Sequence, residues 1–264
     1  MTAQQPQRSK SRAIQHATKV TRPYLVFGYH AVLGILHNQP DRIVNLWFDA
    51  NHRFGPERDE IIELCSKNNK SWGYLDTSGW RQLDVGANAH GVVVEVFPFQ
   101  YTHWGDVVGQ PGSNRIVIAL DGVTDPQNLG GILRCAAFFG PSVVLLPRDR
   151  SVHVTATVER IAAGGASVVP VSLVTNLART LEELKEYGYW VYGTSLAGGV
   201  RLQDADIVGK VVVVLGAEGQ GLRRLTAAKC DQLVTVSGVG VQSLNVATFA
   251  GIFLYHVSKT RPNL

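Results

Sequence analysis

The chain has 264 residues, 45% of them hydrophobic and 17% charged. That is enough apolar material for one large or two modest domains, and it excludes wholesale disorder. The net charge is +4, yet Arg8, Lys10, Arg12, Lys19 and Arg22 all precede the first acid, Asp41, so the remainder is close to neutral.

In chain order, residues 1–22 are polar, basic and rich in Gln, Ser and Thr, the composition of a disordered arm. An arm for nucleic acid, a solvated tail and an organelle transit segment all fit it. Residues 23–98 mix strand and helix signals. A helix is expected from Gly28 to about His37, a strand at Ile43–Phe48, a proline-led helix from Pro56 to Asn68 and a strand at Gly91–Val96. The segment from Pro98 to Asn114 carries two prolines and three glycines without a period, and 99–114 reads as a linker.

Across 115–264, strand and helix alternate. Strands are expected at Ile116–Leu120, Val143–Leu146, Ser167–Val171, Trp190–Thr194, Val211–Leu215 and Leu233–Val236. Helices are expected at 128–139, 154–163, 178–187, 221–229 and 243–259. Near-continuous Val/Leu runs mark strands buried on both faces, so this part is an α/β unit on a parallel sheet. No apolar run reaches the ~18 residues of a membrane span, and no secretory segment follows Met1. Cys65, Cys135 and Cys230 lie far apart, which excludes a disulfide scaffold and any C-x-x-C pair. Free thiols suit a reducing, cytoplasmic setting.

Ligands of open α/β sheets sit at the carboxyl ends of strands, and three such ends carry unusual residues. The first, residues 121–140, opens its helix with Asp125-Pro126 and then places Asn128, Gly130, Gly131 and Arg134 on it. Each helical glycine costs up to about 1 kcal/mol against alanine, which points to a close backbone approach. The second reads Gly216-Ala-Glu218-Gly219-Gln-Gly221. It frees amide groups at a helix start, in neither the dinucleotide nor the P-loop order. The third carries Ser243-Leu244-Asn245-Val246, with Ser243 expected to cap the last helix and Asn245 to fall in its first turn.

Together these residues resemble the SpoU (TrmH) family of RNA 2′-O-ribose methyltransferases, in the SPOUT superfamily. The first turn matches its Asn/Gly/Arg pattern at Asn128, Gly131 and Arg134, the second its Gly-x-Glu-Gly-x-Gly, the third its Ser-Leu-Asn-Val. Residues 174–186, 28–32 and 88–96 look like the branch that modifies guanosine in 23S rRNA. Two positions depart from the family: Val236-Ser237-Gly238 replaces a Pro-Met pair, and Ala247 stands where serine is usual.

The resemblance implies a trefoil-knotted, parallel-sheet methyltransferase unit over 115–264. A small α/β, ribosomal-protein-like RNA-binding unit would precede it over 23–98. It implies S-adenosylmethionine as methyl donor, RNA as substrate, a homodimer, and neither a metal nor a membrane. Arg134 would orient the 2′-oxygen or a phosphate and stabilise developing charge. Asn128 and Ser243 or Asn245 would hold the ribose and Arg134, and Glu218 would orient Arg134 or Asn128. Backbone at Gly216, Val236 and Leu244 would hold the adenine, beside Thr194. Two rivals stay open: a non-catalytic RNA-binding or ribosome-assembly protein on the same fold, and a nucleotide-dependent oxidoreductase. Against the latter stand the missing G-x-G-x-x-G and the embedded Glu218.

Overall fold

The computed structural model describes residues 22–84, 89–110, 116–140, 142–196, 198–240 and 243–259. The basic arm, up to residue 21, and residues 111–114 of the expected linker, with the following residue 115, lie outside them.

The N-terminal part runs β1 (Tyr24–Phe27), α1 (Tyr29–Asn38), β2 (Ile43–Asp49), α2 (Glu57–Lys67), β3 (Trp72–Leu75), α3 (Thr77–Gln82) and β4 (Val92–Val96). Its sheet has the order β1-β4-β2-β3, with β4 antiparallel to both neighbours and β3 parallel to β2. Alternating residues such as Leu46 and Phe48 of β2 meet Val32, Ile35 and Leu36 of α1 and Ile61 of α2 in one core.

The expected linker is partly ordered. Trp104–Val108 forms a short helix, α4, and Trp104, Val107 and Val108 are buried. The backbone beside it is tied down as well: Thr102 N–H donates to the Val171 carbonyl at 2.9 Å, and Trp104 N–H to Ser172 Oγ at 3.1 Å. A helix of five residues is too short to show a period, so the sequence reads as loop.

The rest runs β5 (Ile116–Asp121), α5 (Pro126–Phe139), β6 (Ser142–Pro147), α6 (Ala156–Ala162), α7 (Gly165–Val168), β7 (Val171–Val174), α8 (Leu177–Glu186), β8 (Trp190–Thr194), β9 (Val200–Arg201), β10 (Val211–Gly216), α9 (Arg224–Ala227), β11 (Gln232–Thr235) and α10 (Val246–Lys259). The strands form one parallel sheet in the order β7-β6-β5-β10-β8-β11-β9. Both faces are covered. Ile118, Leu120, Val144, Val213 and Leu215 face the core under α5, α6 and α10, while Val117, Val143, Val212 and Val214 face a second core with α4 and α8. This double burial is why the strands read as unbroken apolar runs.

One expected strand moves. Of Ser167–Val171, the first two residues end α7 and only Val171 begins β7. Pro170 lacks an N–H and forces extended backbone on Val169, so the strand starts after it. The expected helix 221–229 shrinks to Arg224–Ala227, because Gly221 (φ +67°) belongs to the preceding turn.

The two sheets are joined by a buried ion pair. Arg42, 4% exposed, grips Glu159 of α6, 2% exposed, through Nη2–Oε1 at 2.8 Å and Nη1–Oε2 at 3.1 Å. Its Nε donates to the Phe97 carbonyl at 3.1 Å, and the Tyr24 hydroxyl donates to Glu159. Nearby, Gly34 of α1 packs so tightly that a Cβ there would lie 2.5 Å from Gly164 Cα. Breaking a buried pair leaves an unpaired charge, at about 3–5 kcal/mol. Arg42→Ala should lose that much in urea unfolding, and Arg42→Met with Glu159→Leu should recover most of it. A loss below about 1 kcal/mol in the single variant would show that the pair does not hold the sheets together.

Candidate active site

Four parallel strands end along one edge: β5 at Asp121, β10 at Gly216, β8 at Thr194 and β11 at Thr235. Each crossover leaves its strand here, so the residues just beyond form the floor of a cleft. Thr194, Gly216, Val236, Ser243, Leu244 and Phe249 are among its walls, bringing together all four residues expected at a cofactor.

The glycine turn is built by its own backbone. Ala217 and Gly221 exchange N–H···O bonds at 3.2 and 2.9 Å, which puts Glu218 at the tip. A Cβ on Gly216 would fall 2.3 Å from the Gly221 carbonyl carbon, so only glycine closes this turn. Gly216 N–H also donates to Thr194 Oγ1 at 3.3 Å, stitching the ends of β10 and β8. Asp121, which the sequence reading did not single out, anchors the far side. It is 1% exposed, accepts the Arg223 N–H at 2.8 Å and stands 3.7 Å from the Arg223 guanidinium. Its one signal was a carboxylate ending an apolar strand.

Asn128, Glu218 and Asn245 meet across this edge. Asn128 Nδ2 donates to Glu218 Oε1 at 3.0 Å, and Asn245 Nδ2 donates to Asn128 Oδ1 at 2.7 Å and to Glu218 Oε1 at 3.1 Å. The direction of every bond is forced. An ionised carboxylate only accepts, so Asn128 turns its NH₂ to Glu218 and its oxygen to Asn245. Asn245 must then offer its NH₂, and its own oxygen faces the helix. There it accepts Ala247 N–H at 2.9 Å and Thr248 N–H at 3.2 Å.

Asn245, not Ser243, therefore caps α10, which begins at Val246. Ser243 is an exposed wall of the cleft. Asn128 lies inside α5, whose cap is Asp125, accepting Gln127 N–H at 2.8 Å. Of the two partners expected for Glu218, Asn128 donates to it and Arg134 forms no hydrogen bond or ion pair with it.

Arg134 stands apart. Its side chain is exposed on α5 and has no hydrogen-bond or ion-pair partner among the described residues. Six residues on from Asn128, it faces another side of the helix. The two glycines are explained. A Cβ on Gly130 would lie 2.6 Å from Ile161 of α6, and one on Gly131 would lie 2.9 Å from Ala247 Cβ. Position 247 thus sits at the α5–α10 contact. Burial pushes the Cys135 thiol up, opposed by the nearby Arg134 charge, and pushes Cys230 up to about 11. Both are neutral packing groups rather than nucleophiles at pH 7.

A family model of the SpoU rRNA Methylase family matches residues 115–255, and one for RNA 2′-O ribose methyltransferase substrate binding matches residues 25–102. The chain belongs to the SpoU rRNA methylase family. It is similar to the 23S rRNA (guanosine-2′-O-)-methyltransferase RlmB of Pseudomonas aeruginosa, 40% identical over 90% of this chain and 97% of the relative. The protein of that name from Neisseria meningitidis is 37% identical over 89% and 95%. Among solved structures, the SpoU methyltransferase AviRb of Streptomyces viridochromogenes, in complex with AdoMet, shares the fold. Its TM-score is 0.74 at 18% identity over 92% of both chains. An rRNA methyltransferase from Sinorhizobium meliloti gives 0.72 at 24% identity over 91% and 88%.

The network makes a prediction for this SpoU protein that is independent of catalysis. Asn245→Ala loses both the cap and the bridge to buried Asn128. Asn245→Ser keeps a capping oxygen but is too short to bridge. Both should be destabilised in chemical unfolding, the alanine variant by about 1 kcal/mol more, the usual worth of a cap. Equal stability of all three proteins would mean that Asn245 neither caps nor bridges.

Proposed function

We propose that this protein transfers a methyl group from S-adenosylmethionine to a ribose 2′-hydroxyl of RNA, the target being a guanosine of 23S rRNA. The observation that carries the reading is the Asn128–Glu218–Asn245 network, set on the rim of a glycine-walled cleft at the strand ends of a SpoU-family sheet. The cleft fits the donor: Gly216 brings bare backbone to its wall, and Leu215, Val236, Leu244 and Phe249 give an apolar surface for a planar ring. When bound, S-adenosylmethionine supplies an activated methyl on a sulfonium.

The chain's own residues then have to hold and polarise a poor nucleophile. Ser243 on the cleft wall and exposed Asn245 beside Glu218 serve as ribose-holding groups, with buried Asn128 holding Asn245 in place. Arg134 brings a guanidinium, a cation with a planar fork of donors, which orients the 2′-oxygen or an adjacent phosphate and offsets developing charge. It is not a base.

A homodimer accounts for where Arg134 points. Phe138 lies one helical turn further along the same face of α5 and is 82% exposed. Phe139 packs beside Tyr255 of α10, itself 52% exposed, extending an apolar surface. Pairing two copies on this face covers the patch and carries each Arg134 toward the other copy. The division into a basic arm (1–22), an RNA-binding unit (23–98), a linker (99–114) and a methyltransferase unit (115–264), the trefoil knot and a cytoplasmic location complete the reading. The insertion of β10 between β5 and β8 is compatible with a threaded C-terminal helix, and no described helix is long and apolar enough to cross a membrane.

Labelled methyl transfer to 23S rRNA tests the activity. Arg134→Ala should lose at least about 100-fold in rate with melting temperature and cofactor affinity nearly unchanged, because its exposed side chain has no partner to lose. Arg134→Lys should lose most activity too, since the planar fork goes while the charge stays. Phe138→Glu should sediment as a monomer and be inactive. Near-normal transfer by stable, cofactor-binding Arg134→Ala would leave Arg134 a surface residue.

A further inference from the structure

A second cleft, of about 650 Å³, lies where the N-terminal unit meets α6. Its size falls within the ~300–1,000 Å³ of small-molecule sites. One wall is Tyr29 and His30 at the start of α1, whose rings meet edge to face at 5.0 Å. The opposite wall is His52 and Phe54, between β2 and α2, with ring centroids 4.7 Å apart. The third side comes from the other unit: Arg160 of α6, its guanidinium 5.5 Å above the Phe27 ring.

Charge favours an anion there. Arg53, Arg58 and Arg160 line the cleft against one carboxylate, Glu57. The nearby acids are engaged: Asp59 by Arg58 at 2.8 Å, and Glu60 by the Tyr29 hydroxyl. Arg53 and Arg160 have no carboxylate partner among the described residues. Rings beside unpaired guanidinium groups are the chemistry of nucleotide capture: a base stacks on a π-face and its phosphate meets the cation. A planar base and a phosphodiester fit both walls, whereas an acidic peptide would leave the rings unused.

We propose that this cleft holds a nucleotide of the RNA other than the one that is methylated, its base against the Tyr29 and His52–Phe54 walls and its phosphate near Arg53 and Arg160. The proposal rests on the RNA methyltransferase reading. The geometry links the two places. Ala163, which lines the cleft, and Gly165, whose Cβ position falls 3.1 Å from the Arg134 Cα, are two residues apart in the α6–α7 turn. One RNA strand could therefore contact the cleft and the Arg134 surface from opposite sides of that turn. The cleft would select an RNA shape with an unpaired nucleotide, and so act on substrate choice rather than on the transfer step.

The test uses the full chain with a 23S rRNA fragment carrying 4-thiouridine at unpaired positions, irradiated and mapped by mass spectrometry. Cross-links on Tyr29, His52 or Phe54 are expected. Arg53→Ala and Arg160→Ala should each raise the KM for RNA about tenfold, flatten the salt dependence of binding by about one unit of slope, and leave kcat and cofactor affinity unchanged. Arg53→Lys should recover part of the loss. His52→Ala, at an exposed position, checks the stacking wall without touching the core. Cross-links confined to the strand-end cleft and Arg134, or an unchanged KM in both arginine variants, would overturn the proposal while transfer by the wild type upholds the enzyme. Cross-links in the cleft from a chain that transfers no methyl group would uphold the cleft and sink the methyltransferase reading instead.

Discussion

The close approach of α5 and α10 is the constraint on which the site depends. These helices arise from strand ends that are far apart in the chain, β5 and β11. They carry Asn128 and Asn245, which must come within 2.7 Å. Glycine at 131, against the small side chain of Ala247, removes the bulk that would hold the helices apart. The helical glycines weaken α5 on its own, by up to about 1 kcal/mol each. Packing restores it: α5 buries Leu129, Ile132, Leu133 and Ala136 against its neighbours. The site is thus assembled by tertiary packing and not by any local motif, and a larger residue at 131 would part the two asparagines before it touched the chemistry.

A second consequence is directional. In a neutral network each amide can flip, and the donors have no fixed orientation. Here the chain of bonds is pinned at both ends, by the Glu218 carboxylate and by the first N–H groups of α10. Between them, each of the two amides has one allowed orientation. Asn128 is buried, so a wrong orientation would set oxygen against oxygen in a poorly solvated place. Such pre-set polarity is useful to an enzyme, because the groups need not reorganise when charge develops nearby.

Much of this was legible before any coordinates. The buried parallel strands announced themselves as Val/Leu runs, the turn residues marked the three strand ends, and their order carried the family resemblance, which the family match bears out. What stayed hidden was set by contacts distant in sequence. Ser243 looked like the cap because it precedes the apolar run, yet the side chain that is also held by Asn128 and Glu218 wins the position. Helix α4 is too short for periodicity and exists because Trp104 and Val108 seal the second core. The Arg42–Glu159 pair spans 117 residues and lies between the two units, where no local pattern could register it.

That pair fixes α6 relative to the N-terminal unit. One face of this helix buries Val158 against the core it shares with α5, and Ile161 lies against Gly130. Another face offers Glu159 to Arg42, and Arg160 opens into the cleft between the units. A hinge between the units would let the cleft drift relative to the strand-end site. A bidentate, buried guanidinium–carboxylate pair resists both rotation and separation, which a surface pair or a loose apolar contact would not. The stability it contributes against a hydrophobic substitute can be near zero. Its value lies in fixing one orientation, so that α6 acts as a rigid spacer between the cleft beside the N-terminal unit and the strand-end site.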